Sequence, residues 1–163
     1  MKKMLKIFLI LTALYAIMIF YLSSISDLTL PKGWLIQLSY YTGLLQHSDY
    51  LFLLSPFYPL LKQQDKVLHI LLYFGFGILL FLTLRSTGRP VIKALALALL
   101  IGILYGATDE FHQSFVPGRS ANIMDMVADV TGLLFAMSIF IIFYFIKSMY
   151  FYLARLKNEK ITR

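Results

Sequence analysis

The chain contains no cysteine, which excludes disulfide cross-links, thiolate metal sites and cysteine nucleophiles and leaves no redox trace of its compartment. Charge is scarce as well. Only 14% of the 163 residues are Asp, Glu, Lys or Arg, against roughly a quarter in an average soluble chain. Hydrophobic residues make up 60%, and the mean hydropathy is +0.77. These shortages exclude an ordinary water-soluble domain, and the length points to a single membrane domain over residues 1–163. HExxH, GxSxG and a glycine-rich phosphate loop are all missing, so no strong catalytic motif names a reaction. Internal repeats and low-complexity linkers are missing too.

What is present is a set of long apolar runs. About 18 or more nearly uncharged residues cross the ~30 Å hydrocarbon layer as a helix. Four stretches qualify: Ile7 to Ser26, Val67 to Leu84 with only His69, Val91 to Thr108 with only Lys93, and Met126 to Ile146 with only Asp129. The basic start Met1-Lys2-Lys3 before an apolar run also fits a signal peptide. However, Leu22-Ser23-Ser24-Ile25-Ser26 is a poor cleavage site, so an uncleaved first span is expected. The fold expectation is an all-α integral membrane protein, a four-transmembrane-helix bundle with an extracytoplasmic loop, about 27–66, between helices 1 and 2. In that loop Pro31 suits the first turn of a short helix, and Trp34, Tyr40 and Tyr41 favour the headgroup region. The segment Tyr50 to Leu61, interrupted by Pro56 and Pro59, reads as surface-lying or dipping; a two-proline broken span is the alternative. Arg155 to Arg163 reads as a polar tail.

The net charge of +7 would raise nucleic acid as a partner in a soluble protein, but its distribution argues for topology instead. With the N-terminus inside, Lys2, Lys3, Lys6, Arg85, Arg89, Lys93, Lys147, Arg155, Lys157, Lys160 and Arg163 are all cytoplasmic, 11 of the 15 cations. The positive-inside rule therefore selects both termini cytoplasmic, with the lipid bilayer as partner and no nucleic acid. Seven of the eight acids then fall at or near the outer face.

Ionisable groups near membrane depth usually face a cavity or a neighbouring helix. Three clusters of them converge on that outer face. Asp65-Lys66-Val67-Leu68-His69 opens the second span; Asp65 and His69 share a helical face, His69 lies about 6 Å deeper, and Tyr73 continues the stripe. Thr108-Asp109-Glu110-Phe111-His112-Gln113 closes the third span, with His112 read as a loop residue. Asp125 and Asp129 open the fourth. Ala94, Ala98, Gly102 and Gly106 recur every four residues, a spacing that lets helices approach closely in a bilayer, and Glu110 is the next member. Asp125, Asp129, Gly132 and Ala136 form a shorter stripe. Blander roles exist for each: Asp65 and Asp125 as helix-terminus acids, Asn122 as an N-cap, His69 as a bonded core histidine, His112 as an exposed one, Arg119 as a neutraliser of the acidic rim, Pro117-Gly118 as a type II turn. Two His with several carboxylates suit a divalent metal or a proton relay, whereas Lys66, Arg119 and two helix N-termini suit an anion. Spacing does not choose between them.

Three blocks of residues closely resemble the VanZ-like family, named for a teicoplanin-resistance protein. They are Asp65-Lys66-x-x-His69-x-x-x-Tyr73, Tyr105-Gly106-x-x-Asp109-Glu110-x-His112-Gln113-x-Phe115-x-Pro117-Gly118-Arg119-Ser120, and Asp125 with Gly132. The resemblance covers roughly Ser23 to Phe145, and Asp129 departs from it where the family pattern usually has Asn. It implies an integral protein of the bacterial envelope. The leading expectation is an outer-face polar cleft of Asp65, Lys66, His69, Tyr73, Asp109, Glu110, His112, Gln113, Arg119, Asp125 and Asp129. This cleft is expected to bind a cell-wall- or lipid-linked ligand, such as a cell-wall precursor or glycopeptide, and the resemblance implies lowered glycopeptide (teicoplanin) susceptibility as the outcome. The alternative is a membrane-embedded hydrolase or transferase using Asp65, His69, Glu110, His112 and Asp125 around a metal or as acid and base. A helix-packing or assembly factor ranks below both, and a transporter lower still, since the polar residues stop near one face and no matching cluster lies deep in the bundle or on the inner side. No motif calls for a cofactor; a divalent metal stays open.

Overall fold

The structure, a computed structural model, describes residues 2–26 and 64–161. Four α-helices account for nearly all of them: α1 (Lys2–Ser23), α2 (Gln64–Ser86), α3 (Val91–Gln113) and α4 (Ile123–Ile161). No strand occurs among the described residues. All four helices are long and apolar enough to cross a membrane, so the expected four-helix membrane bundle is the observed fold. Inside a bilayer the backbone must satisfy its own hydrogen bonds, and a helix does so within one segment.

Sharp chain reversals separate α2, α3 and α4. Gly88 adopts φ +87°, a left-handed conformation that favours glycine, and Pro90 caps the start of α3. At the opposite end the Val116 carbonyl accepts the Arg119 N–H at 3.0 Å while Gly118 takes φ +81°, the positive value that a type II turn requires there. Asn122 then caps α4, its side-chain oxygen accepting the Met124 N–H at 3.0 Å.

Helix α2 packs against each of the other three. Its Tyr73, Phe76, Leu80 and Phe81 form the core with Ala94 and Ala98 of α3, Leu133, Ala136 and Met137 of α4, and Ile19 of α1. The α2–α4 approach is closest at Gly132: a Cβ there would meet the Ile70 carbonyl oxygen, and the Phe74 nitrogen at 2.9 Å. Helix α1 buries little, only Thr12, Ile19 and Ser23. Hydrogen bonds hold it: Thr12 to Thr83 at 2.8 Å, and the Tyr105 hydroxyl to the Ala16 carbonyl at 2.6 Å.

Several boundaries differ from the sequence expectation. The polar segment after Thr108 stays helical to Gln113, so His112 lies in the last turn of α3 and not in a loop. Helix α4 runs to Ile161, well beyond Ile146, and takes in much of the supposed polar tail. At 39 residues it is about 58 Å long, nearly twice the hydrocarbon thickness. The readings of Pro31, Trp34, Tyr40, Tyr41 and the Tyr50 to Leu61 segment lie outside the described residues.

Candidate functional site

The polar ends of all four helices meet at one end of the bundle. Helices α2 and α4 both start there and run parallel, so their first turns face each other in register. Lys66 pairs with Asp125, and one turn deeper His69 Nδ1 sits 2.8 Å from Asp129 Oδ1. Lys66 also reaches Asp65 Oδ2 at 2.8 Å, from the exposed rim. Lys66 and Asp125 are nearly buried, and Asp129 is 1% exposed.

Helix α3 arrives antiparallel and presents its small-residue stripe. Ala94, Ala98, Gly102, Gly106 and Glu110 are all buried, as the four-residue spacing predicts. Gly106 gives the close approach: a Cβ on it would lie 3.2 Å from Asp129 Oδ2 and 3.4 Å from Tyr73 Cε1. One turn further on, Glu110 Oε2 accepts the Asn122 backbone N–H at 2.8 Å, which ties the end of α3 to the start of α4. Gln113 donates to Asp109 Oδ2 at 3.1 Å. On α4 the stripe Asp125, Asp129, Gly132 and Ala136 is likewise buried.

One nitrogen of His69 and one oxygen each of Glu110 and Asp129 lie within 4.8 Å of one another. Around them, several buried atoms have no hydrogen-bond partner among the described residues: the Tyr73 hydroxyl, Asp109 Oδ1, Glu110 Oε1 and Asp129 Oδ2. Buried polar atoms are normally satisfied, so several orphans in one place set this end of the bundle apart from the rest of the described structure. The sign of the charge is also informative. Lys66 is engaged by Asp65 and Asp125, so among the described residues the carboxylates of Asp109, Glu110 and Asp129 have His69 as their shared nearby base, with His112 also near Asp109. Such a cluster attracts protons or cations; an anionic ligand needs a cation between it and these acids.

Two sequence candidates stand apart from this group. Arg119, read from the sequence as a candidate neutraliser of the acidic rim, donates instead from Nε and Nη2 to the Ile25 carbonyl at 3.2 and 3.0 Å. A guanidinium satisfied by a helix-end carbonyl fastens α1 in place instead of neutralising the acids. His112 bonds Ser24 Oγ at 2.9 Å and stacks on Phe20 with ring centroids 4.2 Å apart, which also joins α3 to α1. The reading of the sequence missed the Asn122 backbone as the clamp on Glu110 and Ser24 as the partner of His112. Neither has a periodic signal, since both contacts depend on how the helix ends meet.

An apolar groove of about 510 Å³ runs along the α2–α4 seam, lined by Ile70, Leu71, Phe74, Phe135, Ser138, Ile139 and Ile142. Its nearest α2 residue, Ile70, directly follows His69. In comparison with known proteins, a family model described as VanZ/LLP1 matches residues 7–144. No curated protein and no solved structure matches the chain.

Proposed function

The chain belongs to the VanZ/LLP1 family, and from that premise we propose that its polar cluster binds the head of a cell-wall- or lipid-linked ligand at the outer face of the bacterial cytoplasmic membrane. Lowered susceptibility to glycopeptides such as teicoplanin is the cellular consequence. The observation that carries this reading is the set of buried oxygens on Tyr73, Glu110 and Asp129 that have no hydrogen-bond partner among the described residues, gathered where the apolar lengths of the helices end. A bundle held only by packing has no use for them, because each orphaned atom weakens the fold. Charge distribution supports the outward orientation, since the opposite end carries Lys2, Lys3, Lys6, Arg85, Arg89 and Lys93. The groove beginning at Ile70 suits the hydrocarbon tail of a lipid-linked ligand whose head sits beside His69.

The test is expression at matched membrane abundance in a glycopeptide-susceptible Gram-positive host. The unaltered chain should raise the inhibitory concentration of teicoplanin, and the double variant Glu110→Gln, Asp129→Asn should abolish the rise. Mass spectrometry of lipids co-purified with each form reads the ligand directly. Identical lipid profiles for the two forms would remove the ligand-binding claim, and an unchanged inhibitory concentration for the unaltered chain would remove the glycopeptide claim.

A second reading, hydrolysis or group transfer, is favoured by the His69–Asp129 bond, because a carboxylate that orients an imidazole is the usual support of a general base. Turnover of the co-purified lipid, lost on His69→Gln, would distinguish it from binding alone.

A further inference from the structure

We propose that His69, Glu110 and Asp129 form a binding site for one transition-metal dication. The proposal rests on the reading of this end of the bundle as a binding site, but not on the glycopeptide phenotype. Three helices contribute one ligand each: His69 from α2, Glu110 from α3 and Asp129 from α4. Their donor atoms lie within 4.8 Å of one another, and all three residues are buried. A dication with bonds of ~2.1 Å holds opposite ligands ~4.2 Å apart, so side-chain adjustments of under an ångström bring the donors into range.

Acidic residues gathered together are common without an ion. Here an independent observation points to one: Asp129 is 1% exposed, and its Oδ2 has no hydrogen-bond partner among the described residues; Glu110 is 7% exposed, and its Oε1 has none either. The second oxygen of each carboxylate is already committed, Asp129 Oδ1 to His69 and Glu110 Oε2 to the Asn122 N–H. The Asn122 N–H fixes the Glu110 carboxylate in orientation, as the supporting contacts of metal ligands do, whereas the His69–Asp129 bond brings two of the ligands together, and an ion held through His69 Nδ1 would take the place of the proton on that nitrogen. A dication would compensate two buried carboxylates and reverse the sign of the local field, so that an oxygen of an anionic headgroup could complete its coordination. One imidazole with two carboxylates suits Mn²⁺, Fe²⁺ or Zn²⁺ better than Mg²⁺ or Ca²⁺, which prefer oxygen alone. The close approach at Gly106, where an added Cβ would lie 3.2 Å from Asp129 Oδ2, keeps α3 near enough to α4 for Glu110 to share the ion.

The experiment uses the full chain, purified in detergent or reconstituted in nanodiscs, stripped with a chelator and titrated separately with Zn²⁺ and Mn²⁺. Calorimetry reads stoichiometry and affinity, and electron paramagnetic resonance of Mn²⁺ reads immobilisation. One equivalent per chain is expected, together with a metal-dependent rise in Tm. Asp129→Asn, Glu110→Gln and His69→Ala should each weaken binding roughly tenfold or more, while Thr131→Val on the same helix should bind as the unaltered chain does. Asp129→Asn keeps the size of the side chain and an oxygen for His69, so it decides the matter if His69→Ala does not fold. Failure of the unaltered chain to bind an equivalent of either ion, or binding by Asp129→Asn and Glu110→Gln at unaltered affinity, would overturn the site. Metal binding without a glycopeptide effect would leave the site standing and remove only the phenotype. A glycopeptide effect without metal binding would do the reverse.

Discussion

Lys66 shows how a single cation holds this end of the bundle. It is nearly buried and faces Asp125 on one side and the solvent-exposed Asp65 on the other. Removing one member of a buried pair leaves an uncompensated charge at a cost of about 3–5 kcal/mol, whereas an exposed partner contributes about 0–1 kcal/mol. Lys66→Met is therefore expected to lower stability by about 3 kcal/mol in reversible unfolding in detergent, and Asp65→Asn by less than about 1 kcal/mol. Adding Asp125→Leu to Lys66→Met should recover most of the loss, because no charge then remains unpaired. A double variant no more stable than Lys66→Met would show that Lys66 acts through some contact other than Asp125. Asp129 differs from Asp125: its partner is His69, and its second oxygen has no partner among the described residues. The same residue type one turn apart thus serves one purpose that is structural and, on the proposed reading, another that is ligand binding.

Among the helices, the approach distances rank the glycines. At Gly132 an added Cβ collides with backbone, the Ile70 carbonyl and the Phe74 nitrogen at 2.9 Å, which cannot yield without moving a helix. At Gly102 the obstacle is the end of the Leu133 side chain, at 2.5 and 2.7 Å, which can rotate. Overpacking costs typically about 1–3 kcal/mol, so Gly132→Ala should destabilise by about that amount and Gly102→Ala by less. Equal unfolding midpoints would show that the α2–α4 seam tolerates separation. Gly106→Leu should displace Glu110 and abolish ligand or metal binding, whereas Leu99→Ile, off the buried stripe, should be mild. Helix α1 is the element with least burial, and side chains at its Ser23 end anchor it. Arg119→Ala with Tyr105→Phe removes its bonds to Ile25 and Ala16. Faster amide hydrogen exchange confined to α1 is the expected result; exchange unchanged from the unaltered chain would mean that packing with the Thr12–Thr83 and Ser24–His112 bonds suffices to hold it.

At the scale of the whole molecule, function depends on which way the bundle sits. Reporter fusions at Thr87 and after Arg163 are expected to register cytoplasm, and one placed between Asp49 and Gln64 the outside. A cytoplasmic signal from the latter would turn the polar cluster inward and remove the case for an extracytoplasmic ligand. Helix α4 adds a second feature at this scale, since it continues past any ordinary hydrocarbon thickness and carries Lys147, Arg155 and Lys157. Long basic side chains at such a position extend toward headgroups, anchoring the helix against vertical shift.

Among the described residues, the number of helices, their membrane-spanning character and their buried faces were determined by local pattern. Uncharged length defines a span, and the four-residue recurrence from Ala94 to Glu110 identifies the side of α3 that enters the bundle, because small residues alone permit close approach there. The sequence also marked the residues of the cluster, since charges at membrane depth stand out against an apolar background. Their pairing was decided by tertiary structure alone. The parallel register of α2 and α4 assigns Asp125 to Lys66 and Asp129 to His69, although nothing in the spacing of two acids one turn apart distinguishes them. Arg119 had several carboxylates within plausible reach, yet its turn directs it to the Ile25 carbonyl. Periodicity records which face of a helix is buried; the rotation and depth at which two such faces meet depend on packing between residues distant in the chain, and that meeting left Glu110 and Asp129 each with an oxygen that has no partner among the described residues.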